Sequence, residues 1–131
     1  KKAFDADPKY ADARISYATG LYYNNQATQA DALLTEGFGS MIIDNERLLQ
    51  LYTNFKIRDR VIGIWKIRVE QSPKNVETRI NLASAYFTAG DIPKTIEVLK
   101  AALALDQDPA TASQIQTIIT QIQNGTLKSG Q

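Results

Sequence analysis

The side chains that most often do chemistry are thinly represented in this chain. Its 131 residues include no histidine and no cysteine. Histidine is the commonest general base and the commonest metal ligand, so its absence removes both roles together. Without cysteine, disulfides, thiolate nucleophiles and thiolate metal sites are excluded. The serines lack a base, and no carboxylates are paired in a context that would raise one pKa. The residues point away from an enzyme, and they imply neither cofactor nor metal.

A few short stretches invite sharper readings. Gly37-Phe38-Gly39 is a helix end, because a phosphate loop would add a lysine and a serine or threonine. Tyr22-Tyr23-Asn24-Asn25 offers either a recognition patch or, more plainly, a helix terminus with one tyrosine packing and the asparagines capping. Residues 56–68 hold five basic side chains in thirteen. Asp59 lies among them and Trp65 is the only aromatic, so a solvated helix face fits better than a nucleic-acid platform. Asn124-Gly125-Thr126 matches a glycosylation sequon, which is weak evidence at three residues. Arg47 can pair with an acidic ligand, or can equally be solvated beside Glu46.

The elements that would position such residues are helical. Net charge is +1, from 15 basic and 14 acidic residues, which gives no field to draw the chain to nucleic acid. Apolar residues make up 44% of the chain, ordinary for a globular domain. The longest purely apolar run, Ala101–Leu105, is far short of the roughly 20 residues of a membrane span, so this fragment does not insert directly into a membrane. The opening residues lack the apolar centre of a signal peptide and read as the tail of a helix cut from a longer chain. Nothing indicates a compartment.

Three helix-ending segments look alike, finishing at Pro8, Pro73 and Pro109, and each precedes a new amphipathic run. Val76 to Pro109 spans 34 residues, as does Ile42 to Asn75. Within each unit the pattern is helix, short turn, helix. In the last unit Leu82, Tyr86 and Phe87 form one apolar face, and Gly90 ends the helix as a left-handed cap. Asp91 caps the next helix, Pro93 sits in its first turn, and Ile96, Leu99 and Leu103 face inward. Ala83 and Ala102 are expected where the two antiparallel helices come closest.

These features resemble the tetratricopeptide repeat. Leu82, Ala83, Tyr86, Thr95, Leu99 and Ala102 follow its pattern in the third unit, and Tyr17, Ala18, Leu21, Ala30, Leu34 and Gly37 follow it in the first. The second unit departs, with Leu49, Val61 and Arg68 at the small positions. A splayed helix pair is expected there, with Arg68 snorkelling outward and Trp65 in the core. The resemblance implies an all-α solenoid of three helix-turn-helix repeats plus a capping helix. Residues 1–8 would be the remnant of a preceding repeat helix. The repeats would occupy 9–41, 42–75 and 76–108, the capping helix 109–124, and a flexible tail 125–131. Ile115, Ile118, Ile119 and Ile122 would form the stripe that docks the cap.

Repeats of this family present the first helix of each unit to a concave groove, which binds protein or extended peptide. By position, Asp12, Ser16, Thr19, Tyr22 and Tyr23 would line it from the first unit. Glu46, Arg47, Gln50 and Asn54 would follow from the second, and Glu77, Asn81, Ser84, Phe87 and Thr88 from the third. Amides would bond a peptide backbone and rings would take its side chains. The lysines of a carboxylate clamp are missing, since Ile15, Ser16, Ile80 and Asn81 stand there. Self-assembly through an open N-terminal face is the alternative within the same fold. More narrowly, residues 30–52 followed by 58–86 look similar to the repeat region found after the membrane domain of bacterial O-antigen ligase or polymerase-like proteins. That would make the chain an accessory region of a cell-surface polysaccharide enzyme attached at the inner membrane.

Overall fold

A computed structural model describes residues 8–105 and 107–127. Among the described residues the chain is all-helical, with no strand. The helices are α1 (Pro8–Tyr23), α2 (Ala27–Phe38), α3 (Glu46–Asn54), α4 (Arg58–Gln71), α5 (Val76–Thr88), α6 (Ile92–Leu103) and α7 (Pro109–Gln123). They fall into two compact units, residues 1–56 and 57–131. The first therefore holds α1–α3 and the second α4–α7, so the stretch 42–75 is divided between them.

In the first unit α1 ends at Asn25, which adopts the left-handed conformation at φ 62°. Gln26 N–H bonds Leu21 O at 2.8 Å and Asn25 N–H bonds Tyr22 O at 3.2 Å, closing the last turn. Asparagine tolerates this geometry better than most residues, which is why the chain can turn here without glycine. Asn45 starts α3 by accepting the N–H groups of Arg47 and Leu48 at 2.9 and 3.2 Å. Ile15, Ala18 and Tyr22 form the buried stripe of α1, and Ala30, Leu34, Leu48, Leu51 and Tyr52 are buried on α2 and α3. The Tyr22 ring lies edge-on to Tyr52 and Phe55, with centroids 6.3 and 5.4 Å apart. Tyr52 donates its hydroxyl to Met41 O, which ties down the connection from α2 to α3.

In the second unit three of the four helices start at a side-chain cap. Asn75, Asp91 and Asp108 each accept an N–H from the first turn of the helix that follows. Pro93 and Pro109 occupy early positions, where a missing N–H leaves nothing unpaired. Gly90, at φ 85°, closes α5, and Asp91 N–H bonds Tyr86 O at 3.0 Å. The core joins Ala83, Leu99, Ala102, Ile115, Ile119 and Ile122. Ala83 and Ala102 are buried in one cluster, as their small size anticipated. Thr95 is buried too and donates its hydroxyl to Asp91 O at 2.8 Å.

Several expectations need correction. The repeat pattern matches Tyr17 to a bulky position of the first unit, but Tyr17 is 64% exposed and Tyr22 packs instead. Residues 15, 18 and 22 share one stripe of a 3.6-residue helix, and residue 17 lies well round from it. Trp65 is half-buried rather than in the core, and Ile64 is the buried residue of α4. Arg68 is half-buried and lies over the Trp65 ring at 4.7 Å. The stretch read as a loose tail is anchored at its start: Thr126 N–H bonds Asn124 Oδ1 at 2.9 Å and Leu127 N–H bonds Gln121 O at 3.0 Å. Residues 128–131 and the helix remnant over 1–7 lie outside the described residues.

Candidate functional site

Asp12, Ser16, Thr19 and Tyr23 recur every three or four residues, so they form one exposed stripe along α1. Tyr22, grouped with them from the sequence, does not belong there. It is 5% exposed, and its hydroxyl donates to Asp31 Oδ1. A helix turns about 100° per residue, so adjacent tyrosines cannot share a face. The stripe on α1 faces a second one on α3. Thr19, Tyr23, Glu46, Arg47, Gln50, Leu51 and Asn54 line a depression of about 250 Å³.

The two stripes are tied near each end. Arg47 Nη1 reaches the Asp12 carboxylate at 3.9 Å and donates to Asp12 O at 3.3 Å. Its Nη2 donates to the Ser16 hydroxyl. At the other end Asn54 Nδ2 donates to the Tyr23 hydroxyl at 3.3 Å. This register, 12 to 47 and 23 to 54, makes α1 and α3 run in the same direction. Arg47 and Asp12 are both about half exposed or more, so their attraction is worth well under about 1 kcal/mol. The link therefore orients more than it stabilises.

In the second unit the candidates separate. Ser84 and Phe87 line a depression of about 220 Å³ with Ile80, Ala83, Thr95, Leu99, Ile118, Ile122 and Leu127. Glu77, Asn81 and Thr88 do not line it. None of the residues around this depression is charged. The contribution from α7 and Leu127 was missed because that helix was read only as a cap. The signal was present, since Ile118 and Ile122 stand four apart beside the buried Ile115 and Ile119 stripe.

A third cleft of about 220 Å³ lies on the first unit between Tyr10, Ala13, Arg14, Tyr17 and Leu33. Arg14 Nη1 donates to Leu33 O at 2.7 Å, and Nη2 donates to the Tyr10 hydroxyl. The side chain lies across Gly37, where an added Cβ would collide with Arg14 Cδ. The small residue at position 37 thus leaves room for the Arg14 side chain.

Among the described residues no group of three or more acidic side chains is placed to hold a metal ion. No described helix is long and apolar enough to cross a membrane. The carboxyl of Asp108, the N-cap of α7, has a lowered pKa. The Thr111 N–H, and then the Thr111 hydroxyl, hold its carboxyl below the usual 3.8, as expected of an N-cap rather than a catalytic group. Compared with protein-family models, curated proteins and solved structures, the chain matches none.

Proposed function

We propose that this chain is a protein-interaction module that binds an extended peptide or partner segment along its helix faces. The observation that carries this reading is the depression between α1 and α3. Six of the residues singled out from the sequence line it, and they supply an aromatic ring, two amides, a hydroxyl and both signs of charge. Amides can bond a peptide backbone while rings and apolar walls take its side chains. Tetratricopeptide-like repeats, with helix pairs and a closing α7, are the architecture that best accounts for this arrangement.

Selection of binding peptides from a random library against the whole chain tests the proposal. Tyr23→Ala and Arg47→Ala should each weaken a peptide selected on the α1–α3 depression at least about tenfold, roughly 1.4 kcal/mol, with helical content unchanged. Retained affinity in both variants would sink the groove reading.

Self-assembly is favoured by one separate observation, the exposed Tyr10 and Tyr17 around the third cleft. Sedimentation at rising concentration should then show a growing mass that Tyr17→Glu abolishes. A strict monomer at high concentration excludes it. The envelope-polysaccharide reading rests on sequence resemblance alone. A run of apolar spans encoded upstream would support it, and further 34-residue repeats there would remove it.

A further inference from the structure

The cleft between α1 and α2 of the first unit holds a positive charge with no counter-charge among the described residues. Arg14 lines it and is half-buried. Its Nη1 donates to Leu33 O at 2.7 Å, its Nη2 donates to the Tyr10 hydroxyl, and the guanidinium lies over the Tyr10 ring at 5.0 Å. All of these partners are neutral. No described carboxylate pairs with Arg14, whereas Arg47 on α3 has Asp12. The Nε–H of Arg14 is buried and meets no acceptor. A guanidinium drawn partly out of water, with uncharged partners and an unused buried donor, costs free energy that a bound anion offsets.

The chain makes room for this arrangement. Gly37 lies within α2 and is not among the glycines in the left-handed conformation, so the backbone there does not call for glycine. Glycine weakens a helix by about 1 kcal/mol relative to alanine. What the missing side chain provides is the space taken by Arg14 Cδ and Nε, with which an added Cβ would collide. Arg14 is held against α2 in this way and still lines the cleft beside Tyr10 and Tyr17.

We propose that this cleft binds a carboxylate carried on an apolar group. Nη1 and Nη2 each use one N–H inside the protein and keep a second, and a guanidinium fork matches a carboxylate. The Tyr10 hydroxyl accepts from Arg14, so its own proton stays available to donate to the same anion. The rings of Tyr10 and Tyr17, with Ala13 and Leu33, supply apolar walls around about 220 Å³. That is room for one ring, since an apolar cavity of about 150 Å³ already accepts benzene. Of the lining residues only Arg14 is charged, which suits a single negative charge; a phosphate near its second ionisation would lack a second cation. A free aromatic acid and the C-terminal residue of a peptide both present the required group.

Benzoate is titrated into the whole chain while the ring resonances of Tyr10 and Tyr17 are followed, at a concentration where the chain sediments as a monomer. Both rings should shift saturably. Benzyl alcohol, a neutral ligand of the same shape, should bind at least about tenfold more weakly. Equal binding of the two, or no saturable shift with benzoate, would overturn the proposal, and this comparison uses only the unaltered chain. Arg14→Gln should weaken benzoate at least about tenfold with helical content unchanged, and undiminished affinity would also overturn it. N-acetylphenylalanine and its amide separate the two sources. Tighter binding of that acid than of benzoate assigns the site to a peptide C-terminus, and the reverse assigns it to a free acid; an amide that binds as well as the acid would overturn both. Arg14 has no part in the α1–α3 depression, so failure of the peptide selection would leave these results standing.

Discussion

In the first unit, α1 and α3 enclose a depression whose ends are tied by Arg47 to Asp12 and Ser16, and by Asn54 to Tyr23. In the second, α5, α6 and α7 enclose one of similar size with no charged side chain in its lining, rimmed by Leu127. Similar helix packing thus produces two different chemistries. The difference lies in which stripe faces inward. On α1 the residues beside the core stripe are Asp, Ser and Thr, whereas on α5 and α7 they are Ile and Phe. A polar depression gains orientation from hydrogen bonds and little net energy, because water competes for the same groups. An apolar one gains energy from burial and little orientation.

The largest expected effect tests whether the two units are stabilised separately. Leu99→Ala should cost the second unit about 2–5 kcal/mol, the usual range for a buried leucine. Urea unfolding followed by Trp65 fluorescence should show the loss. Tyrosine signals from α1–α3 should move by the same amount only if the units unfold as one. Equal shifts by both probes would break the division drawn here.

Gly37→Ala sharpens the comparison of small residues. Ala102 is buried in the core of the second unit, whereas at Gly37 the missing side chain leaves room for Arg14. The substitution should destabilise by about 1–3 kcal/mol through overpacking. In an Arg14→Ala background the sign should reverse, since alanine is the better helix former by about 1 kcal/mol. Thermal denaturation of the four proteins in this cycle decides it, and a penalty that persists without Arg14 would refute the close approach.

Lys56 lies at the end of the first unit with φ 58°, where a β-carbon is strained. Lys56→Gly should stabilise by about 1 kcal/mol, the left-handed penalty less the extra freedom of glycine when unfolded. Chemical denaturation measures it, and a loss of stability would mean that the side chain contributes something the backbone argument omits.

The smallest effect concerns the cap of α7. The folded state lowers the pKa of Asp108, so its contribution is present above 3.8 and is lost as pH falls through the lowered value. Hydrogen exchange at the Thr111 amide should quicken over that window. Asp108→Asn keeps the capping oxygen and should abolish the pH dependence at that amide. Unchanged exchange in the parent chain would show that the cap is not what holds the first turn.

Much of the helical layout was legible because it is written in local signals. Asn45, Asn75, Asp91 and Asp108 are N-caps, and Gly39, Gly90 and Gly125 are left-handed ends. Each works through groups within a few residues, which a linear reading can weigh. The candidate stripe on α1 was legible for the same reason, save Tyr22, where adjacency in sequence was mistaken for a shared face. The position of Leu127 beside α7 was not legible, because it depends on the return of the chain after Gly125 and on the walls that α5 and α6 supply.

By itself, then, the sequence determined the all-helical class, the helix boundaries marked by Gly90, Asp91 and Asp108, and the absence of histidine or cysteine chemistry. These follow from composition, period and capping, all of them local. Only the tertiary structure decided that Tyr22 is core and Tyr17 is not, that Arg47 is engaged with α1, and that α7 helps to wall an apolar depression with Leu127 at its rim. Those outcomes depend on which helix faces meet, and that is settled by packing between residues far apart in the chain.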